Sequence, residues 1–224
     1  MIVKIFIIAF LVESIVLHEI AHGYVALLFG DHTAQRQGRI TFNPIAHIDP
    51  LWTIVIPVVA YFLSNGTFII GGAKPVPVNP SNYRRPVLGD ICVSVAGVAV
   101  NFLIAVLMIL LLNMIHLASS NITGSAAVYV LLHVALLNIV LAMFNLIPIP
   151  PLDGSHLFKY LLPRELRNGY EMLGRTGAGF IILIIVINIP GWWNIFSKTF
   201  LIVQDFMLKN FIFLTCIRNF VSIR

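Results

Sequence analysis

Residues His18-Glu19-Ile20-Ala21-His22 set two imidazoles four positions apart, with a carboxylate beside the first. On a helix, positions i and i+4 lie about 40° apart around the axis, so both rings face one way. That spacing lets two nitrogens bind one Zn²⁺. Glu19 sits just off the coordinating face, where it can take a proton from a metal-bound water. Two histidines of an ordinary core would show the same spacing by chance. The setting argues against chance, because the motif interrupts an apolar run. Ionisable groups at membrane depth are expensive and need partners, and a metal supplies one.

A catalytic zinc takes three protein ligands and keeps a fourth position open. Asp153 is a candidate third ligand. It closes the run Asn145-Leu-Ile-Pro148-Ile-Pro150-Pro151-Leu-Asp153-Gly154. The three prolines remove backbone donors and break a helix there, and Gly154 permits close backbone approach. On these residues alone, Asp153 serves equally well as a ligand or as the cap of the segment that follows.

The elements that hold these groups follow from composition. The chain has 224 residues, of which 59% are apolar and 10% charged, with a mean hydropathy of +0.95. Soluble domains carry about 25% charged residues, so a soluble or disordered chain is excluded. Two cysteines, Cys92 and Cys216, exclude a disulfide scaffold. The remaining class is an all-α polytopic membrane protein. The formal charge of +5 then belongs to cytoplasmic loops and anionic lipid, and is no sign of nucleic acid binding.

Five apolar stretches predict a bundle of about five transmembrane or re-entrant helices: 2–29, 51–70, 88–117, 126–149 and 179–200. The segment 200–220 carries Gln204, Asp205, Lys209 and Arg218 and reads as an amphipathic tail. Glu13 and the chemistry at His18 argue against a cleaved leader. Arg36, Arg39, Lys74, Arg84, Arg85, Lys159, Arg164, Arg167 and Arg175 lie in three connecting segments, whereas 118–125 has no Lys or Arg. The three basic segments are therefore expected in the cytoplasm. Both ends of 51–70 then fall on one side. That stretch is expected to be re-entrant, turning at Pro57 or at Ser64-Asn65-Gly66.

Segment 74–79, Lys-Pro-Val-Pro-Val-Asn, reads as extended. Pro75 and Pro77 blank the donors of one edge, while Val76 and Val78 keep theirs on the other. This predicts a short β-strand or hairpin near the active site that binds an unwound peptide by strand addition. A plain proline-rich connector is the alternative. Among other polar residues, His116 and His133 read as satisfied histidines of the apolar helices. His47 and Asp49 read as parts of a turn before Pro50. His156 sits three residues past Asp153, and Glu13 faces away from the motif.

The order of motifs resembles the site-2 protease family of intramembrane zinc metalloproteases (peptidase M50-like), in its short-chain bacterial and archaeal branch without a PDZ domain. HEIAH, Gly30-Asp31, Gly38-Arg39-Ile-Thr-Phe-Asn43-Pro44 and His47-Ile-Asp49-Pro50 carry the resemblance. So do Gly72-Ala-Lys74-Pro75-Val-Pro77-Val-Asn79, Ala96-Gly97, Asn101-Phe and the proline run to Leu152-Asp153-Gly154. Together they cover roughly residues 15–155. The family often has proline after Ala-Gly, where this chain has Val98. The resemblance implies one Zn²⁺ held by His18, His22 and Asp153, with Glu19 as the general base. It also implies that Asn101 steadies substrate backbone or the developing oxyanion, and that Asn145 takes a similar part. It implies a single membrane-embedded protease domain over 1–224, with core 1–160 and a C-terminal helix and tail over 161–224. The expected activity is hydrolysis of peptide bonds in or near transmembrane segments of membrane proteins. The expected location is a bacterial or archaeal plasma membrane, multi-pass, with the site toward the cytoplasm. Two rival readings stay open. One is a prenyl-protein processing protease, which would use Glu165 or Glu171 as third ligand. The other is a transporter or metal-binding scaffold that uses intramembrane charges for ion passage; the lack of an internal repeat counts against the transporter.

Overall fold

The computed structural model describes residues 2–55, 58–59, 62, 71–118 and 125–211. Every regular element among them is helical. In chain order the α-helices among them include α1 (Ile2–Leu28), α2 (Thr33–Arg36), α3 (Pro86–Ala118) and α4 (Ala126–Asn145). They continue with α5 (Asp153–Phe158), α6 (Arg164–Arg175), α7 (Ala178–Ile187) and α8 (Trp192–Phe211). The chain divides into two compact units, Val12–Gly97 and Met1–Leu11 with Val98–Arg224.

The unit Val12–Gly97 contains most of α1, the first turns of α3 and the irregular chain between. Its apolar centre is Ala26, Tyr83 and Val93, flanked by Val25, Phe29 and Val78. The connecting chain is held by local caps. The Asn43 side chain accepts from Ile45 N at 3.1 Å and opens a 3-10 turn at Pro44–His47. The Asp49 carboxylate accepts from Leu51 N at 2.9 Å across Pro50, as the sequence expects of a turn there. His47 is buried and its Nε2 meets Thr41 O at 3.0 Å. Pro57 and Ser64-Asn65-Gly66, the expected turning points of a re-entrant segment, lie outside the described residues.

The second unit packs α3, α4 and α8 through Ala105, Ile109, Ala135, Ile139, Met143, Met207 and Leu208. Leu112 extends that seam to Val128, Leu131 and Leu132. On α3 these buried positions recur at helical spacing, while Leu103, Leu107, Leu111 and Met114 remain exposed. An apolar outer face is what lipid requires of a helix. α3 and α4 are long and apolar enough to cross a membrane, whereas α6 and α7 pass that test only together and are bent by 88° at their junction, as a broken span or a re-entrant loop would be.

Two expectations change here. The stretch 179–200 is not one helix: α7 ends at Ile187 and α8 begins at Trp192. Pro190 has no amide to continue the ladder. Gly191 adopts a φ of 92°, which favours glycine. From Trp192 the helix runs to Phe211, so the tail 200–211 continues α8. Second, no β-strand occurs among the described residues. Segment 74–79 is irregular, because a strand needs a neighbouring backbone edge and this segment spends its donors otherwise.

Candidate metal centre

His18 and His22 are 7% and 9% exposed on the inward face of α1. Their Nε2 atoms converge to 2.9 Å, with ring planes at 84°. His22 Nδ1 donates to Val93 O at 2.7 Å. That bond fixes the ring and leaves Nε2 with a lone pair, the usual arrangement of a metal-binding histidine. The second side of the cradle is Gly97. A Cβ there would stand 2.6 Å from Nε2 of both histidines, so only glycine leaves the two rings their space. Two imidazoles on a tetrahedral Zn²⁺ at about 2.05 Å would hold their nitrogens about 3.3 Å apart. A few tenths of an ångström of ring movement suffices, and the donors present fit the ion.

Glu19, partly buried, accepts a hydrogen bond at Oε2 from Val76 N at 2.7 Å. Gly23 lies one turn further along that face, and a Cβ there would meet Val76 Cγ1 at 2.8 Å. The Val76 side chain, 5% exposed, thus rests on α1 while its amide reaches the carboxylate. This revises the expected role of Val76: its N–H is donated within the protein, leaving its carbonyl and the Val78 amide to be considered for a substrate.

The segment around Val76 is pinned at several points. Arg39 Nη2 donates to Lys74 O at 2.9 Å and to Pro75 O at 3.3 Å. Lys74 N donates to His47 O at 2.8 Å. Asp31, fully buried, accepts from Asn79 N at 2.7 Å, Asn82 Nδ2 at 2.8 Å, Thr33 N at 3.1 Å and the Thr33 hydroxyl. Burial raises the Asp31 pKa, but the bonds from Asn82, Thr33 and Asn79 outweigh it. The carboxyl is held below its ordinary value.

The other expected site residues belong to the second unit. Helix α4 ends at Asn145, whose Nδ2 donates to Leu141 O at 3.0 Å, within its own helix. Residues 146–152 form a turn with a cis peptide between Pro150 and Pro151. Tyr170 Oη donates to Pro148 O at 2.9 Å. Asp153 opens α5, whose N-cap is Leu152, so the carboxylate lies inside the first turn and not at the cap position. A Cβ on Gly154 would stand 2.2 Å from Leu146 O; glycine is what lets α5 fold back onto the end of α4. Asn101 is buried on α3. Glu171 pairs with Lys159 at 3.5 Å and Arg175 at 3.6 Å, an occupation that suits a surface helix better than a metal.

Sequence reasoning passed over four contributors: Val93, Gly97, Asp31 and Arg39. Gly97, Asp31 and Arg39 stand within recognised motifs, but their types alone do not reveal their contacts.

A family model described as Peptidase family M50 matches residues 111–186. A Bacillus subtilis protein named "Putative zinc metalloprotease YwhC" is 36% identical over 80% of this chain and 78% of its own length. This chain belongs to peptidase family M50. A Mycolicibacterium smegmatis member of similar name, Rip2, is 29% identical over 84% of this M50 chain and 68% of its own. Zinc metalloprotease MJ0392 of Methanocaldococcus jannaschii is 27% identical over 68% of this chain and 33% of its own. No solved structure matches. As a peptidase-family member with apolar helices, the chain is a membrane-associated enzyme whose general activity is intramembrane proteolysis.

Proposed function

We propose that this M50 chain is a zinc metalloendopeptidase that hydrolyses peptide bonds in or near transmembrane segments of membrane proteins. The carrying observation is the cradle of two convergent imidazoles over Gly97, with His22 oriented by the Val93 carbonyl. His18 and His22 would hold one Zn²⁺, and Asp153 would be the third ligand. Its support is the family motif and its place inside the first turn of α5 rather than at the cap.

Bound there, zinc would polarise the scissile carbonyl and acidify a water. Glu19 then serves as general base and returns the proton to the leaving amine. Asn101 steadies the substrate backbone or the developing oxyanion, and Asn145 lies toward the same motif with its amide spent on Leu141. A substrate entering as an extended chain pairs with the Val76 carbonyl and the Val78 amide. One substrate residue can use a C=O at i and an N–H at i+2 in a parallel pairing. Unwinding is required because helical peptide bonds are shielded. The nine basic loop residues support an orientation with the site toward the cytoplasm and α1 entering from outside, and the family resemblance points to a bacterial or archaeal plasma membrane. On this reading 1–224 works as one multi-pass domain on lipid-embedded substrates.

The test uses detergent-purified protein, a panel of transmembrane model peptides, a chelator and metal analysis. Cleavage that tracks about one zinc per chain and stops with chelator is expected. Metal-independent cleavage, or none with zinc loaded, overturns the reading. Substitution of Asp153 against Glu165 and Glu171 tells this assignment from the prenyl-protein type. Cysteine labelling at Asn79 and Ser81 from outside only would reverse the proposed orientation.

A further inference from the structure

We propose that Asp31 and Arg39 are positioning residues for the base. They clamp segment 74–79 on both sides of Val76, so that its amide holds the Glu19 carboxylate in one orientation. The inference rests on the reading of Glu19 as the base and adds the device that aims it.

The clamp begins upstream of Val76. Arg39 grips the Lys74 and Pro75 carbonyls, and His47 O takes the Lys74 amide. Downstream, Asp31 takes the Asn79 amide through Oδ2 and the Asn82 side chain through Oδ1. Between these anchors Pro75 and Pro77 have no N–H and each fixes its own φ near −65°. Val76 is thus the one residue between two prolines, and its amide meets Glu19 at 2.7 Å.

The side chain reinforces the register, since Val76 Cγ1 sits where a Gly23 Cβ would be. Glu19 and Gly23 are four residues apart and share one helix face. Both anchors, Asp31 at 0% and Arg39 at 9% exposure, are buried charges. Such charges are costly unless engaged, and both are engaged with this loop system: Arg39 with the 74–79 backbone through Nη2, its buried Nε meeting no partner among the described residues, and Asp31 with Asn79, Asn82 and Thr33. The Val76 bond uses one carboxylate oxygen, and a carboxylate accepts at both. Glu19 Oε1 therefore keeps its capacity to take a proton while the plane of the group is fixed.

The test labels the full-length, zinc-loaded protein with carbonyl-¹³C proline and ¹⁵N valine. Only Pro-Val pairs then give signals. The chain has them at 57–58, 75–76, 77–78 and 86–87, and Val76→Ile assigns the relevant one. Glu19→Ala should move the Val76 amide proton upfield. Arg39→Ala and Asp31→Ala should each move the same signal and lower kcat about 10–10²-fold, the upper end being the cost of a 1 Å misplacement. Zinc affinity should stay within about twofold, while KM for a model transmembrane peptide rises alongside the kcat loss, because the same segment offers the Val76 carbonyl and the Val78 amide to substrate. Asp31→Asn, which keeps one carbonyl oxygen, should fall between.

A Val76 signal indifferent to Glu19→Ala overturns the clamp, and this needs no anchor variant to fold. Anchor variants that lose zinc or raise KM while kcat holds also overturn it, because they reveal a purely structural role. The two readings fail separately. An intact Val76–Glu19 signal in a chain that cleaves nothing sinks only the protease. A missing one in a cleaving chain sinks only the clamp.

Discussion

Two turns of this chain bring backbone close to a helix, and they do it by opposite means. The 74–79 segment is tied to α1 and its following loop by charged side chains: Arg39 on carbonyls, Asp31 on an amide, Glu19 on another. The 146–153 turn is set by volume. Three prolines limit its backbone, Gly154 lets α5 sit against Leu146 O, and Gly179 lets α7 sit against Pro150. A polar clasp can be adjusted one bond at a time, and it responds to pH and to isosteric substitution. A steric fit is indifferent to charge and intolerant of a methyl group. The polar clasp surrounds the proposed base, where orientation matters most. The steric turn carries Asp153, whose place depends on where the chain can bend.

The largest expected effect breaks the comparison at its functional end. Glu19→Gln keeps the fold and the imidazole pair, so zinc content should hold while kcat falls about 10²–10⁴-fold, the usual worth of a general base. Peptide cleavage and metal analysis on the same preparation check this.

Next comes the steric turn. Gly154→Ala puts a carbon 2.2 Å from a backbone oxygen that has no rotamer to escape with. It should destabilise by about 1–3 kcal/mol in thermal or denaturant unfolding. Gly23→Ala meets only the Val76 side chain at 2.8 Å and should cost less, about 1 kcal/mol. Equal losses would erase the distinction between the two regions.

Acid sharpens it. Because the folded-state pKa of Asp31 lies below its ordinary value, its contribution is fully present above that ordinary value. It is lost as pH falls through the lower folded value. Acid titration of unfolding should show a limb in that window that Asp31→Asn flattens and Gly154→Ala leaves alone.

The smallest effect is a control far from both turns. Asp205 and Lys209 pair on the exposed face of α8, and Asp205→Asn should change stability by no more than about 0.5 kcal/mol.

Much of the site was legible before any coordinates. HEIAH announces two co-facial rings because helical periodicity alone brings i and i+4 together. The proline run announces the end of α4, since proline lacks the donor a helix needs; α4 stops at Asn145. The Asp49 turn before Pro50 was equally local. The expected strand failed because pairing is a relation between two segments. Extended character in 74–79 could not say what would meet its donors: the His47 carbonyl takes the Lys74 amide, and the Glu19 and Asp31 carboxylates take those of Val76 and Asn79. The unbroken 179–200 helix failed for a different reason. Apolar length alone predicts one span, but the local geometry of Pro190-Gly191 decides the break.

The amino-acid order by itself determined which groups exist and which lie on one helix face: His18 with His22, Glu19 with Gly23, and a donorless proline on either side of Val76. Those relations follow from backbone stereochemistry over a few residues. Only the tertiary structure decided that the Val76 amide meets a carboxylate 57 residues away, that Val93 O orients His22, and that Gly97 leaves room for both rings. Contacts across such separations depend on how whole helices and loops pack, and local periodicity carries no information about that packing.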